Sequence, residues 1–157
     1  MFGKIKNIKK VYDFEIESLS KLNKNGKVPE FTQFIIELYD FLKMDGYKVE
    51  TDKHIFYVLI SNDQTCCETW GYMTSEDDLS YFVGAELLEV KVTDTALNQK
   101  ILTKIDDEYI DTNQVQFVDF KTSKGTFQLA VYNSHNGFYG HKILVTKDNE
   151  VLLSDTL

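Results

Sequence analysis

The thiols and imidazoles are the most reactive side chains in this sequence, and they are few. The chain has two adjacent cysteines, Cys66 and Cys67, and three histidines, His54, His135 and His141. Cysteine and histidine together are a common ligand set for zinc, but zinc sites usually pair their cysteines at C-x2-C spacing. The adjacent pair lacks that spacing, so we predict neither a metal site nor any other cofactor.

A thiol beside a histidine could instead act as the nucleophile of a hydrolase. No local signature of such an enzyme surrounds the cysteines. The P-loop, G-x-G-x-x-G, G-x-S-x-G and H-E-x-x-H motifs are also missing from the sequence. We therefore expect a protein that is not an enzyme, and keep a cysteine-dependent hydrolase as an alternative. Adjacent cysteines rarely bond to each other, so both are expected to be free thiols in a reducing cytosol.

Carboxylates are the other chemical feature, and they cluster. Two acidic triplets occur, Glu76-Asp77-Asp78 and Asp106-Asp107-Glu108, and neither fits an EF-hand calcium loop. The chain has 17 lysines, no arginine and 25 acids, for a net charge of −8. Residues 1 to 48 hold nine lysines and seven acids, so the negative charge lies in the remainder.

This charge pattern narrows the class of partner. An acidic chain is repelled by nucleic acid and attracted to basic protein surfaces. Arginine, which makes the commonest bidentate contacts to phosphate and guanine, is absent. We therefore predict a basic protein partner and no direct binding of nucleic acid. Aromatic side chains dominate the energetics of interfaces, so the predicted contact residues are Glu76, Asp77, Asp78, Asp106, Asp107, Glu108, Trp70, Tyr72 and Tyr81.

Two helices are predicted to position these residues. Apolar side chains recur at helical spacing between positions 31 and 42, Pro29 suits a first turn, and Asp45-Gly46 resembles a stop. The pattern predicts one long amphipathic helix over about 29–44. Ser75, with Asp78 three positions later, resembles a capping box and predicts a short helix over about 76–83. Residues 96–111 are polar and are predicted to be mainly loop.

The rest of the chain is predicted to form mainly short strands. Residues 115–121 and 126–132 flank a four-residue turn and form the clearest hairpin, and strands are also predicted over 11–17, 47–50, 55–60, 87–93, 141–146 and 150–153. The fold class predicted is α+β with a mainly antiparallel sheet, because helical crossovers are too few for a parallel one. We expect one domain over 1–157, with a strand–helix extension at 1–50 and a mainly β region at 51–157. No signal-peptide core or membrane-length apolar run occurs, which favours the cytoplasm of a bacterial host and no membrane.

Three stretches together resemble a family. They are TCCETWGY from Thr65, EDDLSYFVGAELL from Glu76 and FVDFKTSKGTFQLAVYNSHNGFYG from Phe117. They look like a domain of unknown function carried by small proteins of bacteriophages and mobile elements, over about residues 55–145 and without residues 1–50. The resemblance implies no activity. In size, charge and lysine-rich composition the chain is also similar in type to anti-CRISPR proteins of Gram-positive phages, which inhibit Cas9.

The function expected is therefore that of a phage-type inhibitor. It would bind a basic host protein, such as a Cas9 or another defence nuclease, through an acidic surface. Besides the inhibitor and the cysteine-dependent hydrolase, a third hypothesis is a protein that binds a small nucleotide signal. In that case the glycine- and asparagine-rich loop 133–140 would present backbone N–H groups to phosphate.

Overall fold

The computed structural model of the chain describes residues 1–16, 18–19, 30–39, 42–63 and 67–157. Within these residues the fold is a sandwich of two antiparallel sheets. In chain order its elements are β1 (Ile5–Glu15), α1 (Glu30–Tyr39), β2 (Lys43–Thr51), β3 (Ile55–Ser61), β4 (Thr69–Thr74), β5 (Leu87–Thr93), α2 (Gln99–Asp107), β6 (Val115–Thr122), β7 (Gly125–Ser134), β8 (Lys142–Lys147) and β9 (Glu150–Thr156). Short 3-10 turns lie at Leu79–Phe82 and Thr112–Gln114.

One sheet has five strands in the order β1-β2-β3-β8-β9, and the other has four in the order β4-β7-β6-β5. Every neighbouring pair is antiparallel. The hairpin predicted at 115–132 is confirmed, because β6 pairs with β7 from Val115 opposite Tyr132 to Thr122 opposite Gly125. Strands alternate their side chains between two faces, so each sheet has one inner and one outer face to bury.

The inner faces meet in an aromatic-rich core. Phe56 of the five-stranded sheet contacts Phe120 of the other sheet edge-to-face, with ring centroids 6.0 Å apart. Phe120 in turn stacks on Phe127 at 5.0 Å. Val58, Ile60, Leu129 and Val131 fill the space around these rings and are fully buried. Burial of this apolar area is the main stabilising contribution to the sandwich.

Each outer face is covered by one helix. Ile35, Ile36 and Tyr39 of α1 pack on the five-stranded sheet, where the Tyr39 hydroxyl also hydrogen-bonds Ser154 at 2.6 Å. Ile101 and Ile105 of α2 pack on Met73, Phe117 and Ala130 of the four-stranded sheet. The molecule is thus built as helix, sheet, sheet, helix.

The N-terminal strand links the two sheets at one corner. Ile5 N–H donates to Ala85 O, and Gly84 N–H donates to Ile5 O. Phe2 and Gly3 make a similar pair of backbone hydrogen bonds with Leu87. The start of β1 is therefore hydrogen-bonded to the residues that lead into β5. From there β1 runs toward β4 as the edge strand of the five-stranded sheet.

The long helix predicted over 29–44 is wrong. α1 ends at Tyr39, and Lys43 already begins β2, which pairs with β1 and β3 on its two sides. Asp45-Gly46, read as a helix stop, lies inside this strand. A Cβ on Gly46 would lie 2.0 Å from the carbonyl oxygen of Val58, so the glycine permits a close approach of two strands. Two residues of the predicted buried helical face, Phe34 and Leu38, are exposed.

The second predicted helix is also wrong, and a real one lies in the segment predicted to be loop. Residues 76–83 contain only the 3-10 turn at Leu79–Phe82, with Asp78 as its N-cap. α2 instead occupies Gln99–Asp107 and begins at Asn98, whose side chain accepts from Ile101 N–H at 3.1 Å. In the part of the chain that the structure describes, the predicted class, an α+β fold with one long helix, is thus replaced by a two-sheet antiparallel sandwich with two short helices. Pro29 and the polar segment 21–27 lie outside the described residues.

Candidate functional site

A groove of about 470 Å³ lies between β1 and β4. We call it the tyrosine groove, because the rings of Tyr47 and Tyr72 lie in it edge-to-face with centroids 5.4 Å apart. β1, β2, β4, the loop after β4 and α2 all contribute to it. Its lining residues are Ile8, Lys9, Lys10, Tyr47, Tyr72, Met73, Thr74, Glu76, Asp77, Leu79 and Lys104.

The two phenols of the groove stay protonated far above neutral pH. Burial raises the pKa of Tyr72 to about 12, with a hydrogen bond to Tyr12 and the charges of Tyr12 and Asp45 adding to the effect. Burial, followed by the neighbouring Tyr72, also raises the pKa of Tyr47 well above its usual value. The amine of Lys10 lies 5.6 Å from the centroid of the Tyr72 ring, within range of a cation–π contact.

The first acidic triplet borders this groove and is largely paired within the chain. Glu76 accepts from Lys100 at 3.5 Å, and Asp77 lies 3.7 Å from the amine of Lys104. Asp78 accepts from Ser80 N–H at 2.9 Å, and its hydrogen bonds with Ser80 lower the pKa of its carboxyl. This triplet therefore helps to hold α2 and the 3-10 turn, in addition to any role at an interface.

The second triplet has a different setting, at the end of α2. Asp106 and Asp107 close the helix, Glu108 is its C-cap, and all three side chains are exposed. Tyr109 follows in a left-handed conformation with φ of 54° and is 92% exposed. Asp111 adds a fourth exposed carboxylate. We call residues 106–109 and 111 the acidic face. Tyr109 is not among the contact residues predicted from sequence, because the helix that precedes it was not predicted.

The three predicted aromatic anchors differ in their surroundings and exposure. Trp70 stacks on the buried His141 ring at 5.3 Å, and Tyr72 lies in the tyrosine groove. Tyr81 is 60% exposed, and the amine of Lys124 sits over its ring at 5.5 Å. Of the three, Tyr81 presents the most surface to a partner, whereas Trp70 and Tyr72 are half-buried.

The histidines are held by their own chain. Both ring nitrogens of His141 are engaged, Nδ1 2.6 Å from Ser61 O and Nε2 3.3 Å from Glu68 Oε1. His54 Nδ1 lies 2.8 Å from Asp148 Oδ2, which joins the start of β3 to the β8–β9 turn. Cys66 lies outside the described residues, and Cys67 is exposed.

Two backbone donors of the loop at 133–140 are engaged within the loop. His135 Nδ1 accepts from Gly137 N–H at 2.9 Å and from Tyr139 N–H at 3.4 Å. These two N–H groups therefore already have an acceptor within the chain. Across the described ranges, no cluster of three or more His, Cys, Asp or Glu side chains is arranged to hold a metal ion. Nor does that part of the chain contain a helix long and apolar enough to cross a membrane.

Comparison with known families places the chain in one of them. Residues 5–145 match DUF7448, a domain of unknown function, and the chain belongs to that family. The match begins at residue 5, so the family domain includes the N-terminal segment that the resemblance over 55–145 left out. No curated protein and no solved structure matches the chain.

Proposed function

We propose that this DUF7448 domain is a non-enzymatic inhibitor that binds a basic protein through its acidic face. The observation that supports this is the exposure of Tyr109, 92% accessible among the carboxylates of Asp106, Asp107, Glu108 and Asp111. A protruding tyrosine surrounded by negatively charged carboxylates is suited to a partner surface that supplies lysine or arginine.

The placement of these carboxylates has a cost to the fold. The C-terminal end of a helix carries partial negative charge, so Asp106, Asp107 and Glu108 at the end of α2 are repelled by it. Lys104 is the only basic residue in that last turn. Carboxylates that do not stabilise their own helix are better explained by attraction to something outside it.

An exposed aromatic within a charged rim also matches what interfaces need. Tyrosine is enriched among the residues that contribute most to binding energy, and surrounding charges raise the rate of encounter with a partner of opposite sign. Below the exposed residues, Ile105 and Ile110 are buried against the four-stranded sheet and hold the face in place. The face is thus fixed to the core before any partner arrives, which limits the entropy lost on binding.

The partner class that fits best is a protein with a basic channel for nucleic acid. Exposed carboxylates can occupy sites built for phosphates, while the net charge of −8 keeps the chain itself away from nucleic acid. We therefore propose a defence nuclease of the Cas9 type as the target, and a phage-type origin for the inhibitor, with action in the bacterial cytoplasm.

The experiment compares two variants of equal net charge. One carries Asp106→Asn, Asp107→Asn and Glu108→Gln; the control carries Glu37→Gln, Glu89→Gln and Glu150→Gln, three exposed acids elsewhere. Binding to an immobilised Cas9-type nuclease is measured at low and high salt. We expect the first variant to lose about tenfold or more in affinity, mainly at low salt, and the control to lose little.

Two results would count against this proposal. Equal losses in both variants would mean that only net charge matters and that the acidic face is not the contact surface. Wild-type protein that binds no nuclease at either salt concentration would refute the proposed partner class. Thermal unfolding of each variant checks that the loss of binding is not a loss of fold.

A further inference from the structure

We propose that the tyrosine groove binds a small planar aromatic ligand that carries an oxyanion, such as a phosphate or carboxylate. The site is separate from the acidic face, and the inference does not depend on the function proposed above. A volume of about 470 Å³ is within the range of small-molecule sites, roughly 300–1,000 Å³.

The groove offers an apolar and aromatic surface for a ring. Tyr47 is 3% exposed and forms a fixed wall, while Tyr72 is only partly buried and keeps ring surface accessible. Ile8 and Leu79 pack against the same core and border the groove. A planar ligand can therefore stack or pack edge-on against rings that are already held in place.

Among the residues that line the groove, the charge without an ion-pair partner is positive; Asp45, whose charge acts on Tyr72, lies outside the lining and accepts hydrogen bonds from Asp13 N–H and Asn62. Both carboxylates that line the groove, Glu76 and Asp77, have a lysine of α2 within 4 Å. Lys10 is exposed, lies over the Tyr72 ring, and forms no ion pair with a described carboxylate at that distance. An ammonium held beside an aromatic surface attracts an oxyanion rather than a second cation.

The phenols add hydrogen-bond donors of the right kind. The hydroxyl of Tyr72 is neutral at physiological pH and hydrogen-bonded to Tyr12, so the pair together keeps one O–H that it can donate to an anion. Tyr47 also lines the groove, and burial raises the pKa of its hydroxyl. Donation from neutral hydroxyls to an oxyanion gives short, strong hydrogen bonds.

The size of the ligand follows from the charge of the whole chain. At physiological salt, charges are screened beyond about 8 Å, so a small anion in the groove experiences mainly Lys10 and its neighbours. A long polyanion would also contact the rest of a molecule of net charge −8. The groove therefore selects a mononucleotide-sized anion over a nucleic-acid strand.

The test is an NMR titration of ¹⁵N-labelled protein with AMP and UMP as probes. Adenosine and inorganic phosphate, titrated separately, supply the ring and the anion alone. We expect saturable shifts confined to residues 8–10, 72–79 and 104, with AMP bound at least tenfold more tightly than either fragment. No saturable shift with either nucleotide up to about 10 mM would overturn the proposal.

Variants separate the roles of charge and hydroxyl. Lys10→Met should weaken AMP binding about tenfold, whereas Lys6→Met, on the same strand but outside the groove, should not. Tyr72→Phe keeps the ring and removes one hydroxyl of the Tyr72–Tyr12 pair, so it should weaken AMP binding and leave adenosine binding unchanged. Equal effects of the two lysine variants, or phosphate binding as tightly as AMP, would contradict the site as described. The triple variant of the acidic face should bind AMP as wild type does.

Discussion

The attachment of α2 to the four-stranded sheet gives a quantitative prediction for Ile105→Ala. Ile105 is 1% exposed and packs among Met73, Phe117 and Ala130. The substitution removes three carbons, worth about 0.8 kcal/mol each in transfer from water, and it leaves a cavity. We expect the free energy of unfolding to fall by about 3 kcal/mol, and the melting temperature by roughly 6–12 °C for a chain of this size.

The assay is urea unfolding followed by circular dichroism. Ile105→Val, which removes one carbon, should cost about 1 kcal/mol, and Thr103→Ala, on the exposed side of α2, about 0.5 kcal/mol or less. The slope of the transition should stay unchanged if the variants remain two-state. A loss below about 1 kcal/mol for Ile105→Ala would show that α2 does not pack on the sheet as described, and the acidic face would then lack its fixed support.

Three further predictions test other parts of the fold. Gly46→Ala should lower the free energy of unfolding by more than about 3 kcal/mol, measured by urea unfolding, because its Cβ would meet Val58 O at 2.0 Å. Gly137→Ala, where the Cβ would lie in open space, should cost about 1–2 kcal/mol, and equal losses would contradict the close approach of β2 and β3. Asn98→Ala removes the N-cap of α2 and should cost about 1 kcal/mol, measured in the same way, and an unchanged unfolding midpoint would argue against the cap. Burial raises the pKa of Tyr47, Tyr57, Tyr72 and Tyr132, so the unfolded state loses protons first above about pH 10. The stability that these groups contribute is complete below that pH and lost as pH rises toward 12 and above, and a urea midpoint that stays constant from pH 9 to 12 would refute the burial of these phenols.

The β6–β7 hairpin could be predicted from sequence because its determinants are local. Two apolar stretches flank a four-residue turn, and each strand pairs with the other directly across it. No distant segment has to be known for such a pair to be recognised. The same holds for the strand at 55–60, whose continuous apolar run is evident in the sequence.

The end of α1 could not be read in the same way. Leu42 and Met44 continue the helical spacing of the preceding apolar residues, yet they also suit a strand whose partners are β1 and β3. β1 ends nearly 30 residues before β2 begins, so pairing with a distant segment decides whether these residues form helix or strand. α2 was missed for the opposite reason: between Gln99 and Asp107 only Ile101, Leu102 and Ile105 are apolar.

The candidate sites were even less accessible from sequence. The tyrosine groove combines residues from β1, β2, β4 and α2, and no spacing in the chain relates Lys10 to Tyr72 or Lys104. The acidic triplets are evident in the sequence, but the lysines that pair with the first of them are not. The structure separates them into one triplet bound to lysines of α2 and one exposed beside Tyr109.

The most direct test of the central proposal is site-specific photo-crosslinking, with one crosslinking residue in each protein. Tyr109 is replaced by p-benzoylphenylalanine in one protein and Phe138 in a second; the two side chains are 92% and 85% exposed. Each protein is irradiated in a lysate that contains a Cas9-type nuclease, and adducts are identified by mass spectrometry. We predict a crosslink to the nuclease from position 109 and none from position 138. A nuclease crosslink from 138 alone, or none from either position, would contradict binding through the acidic face.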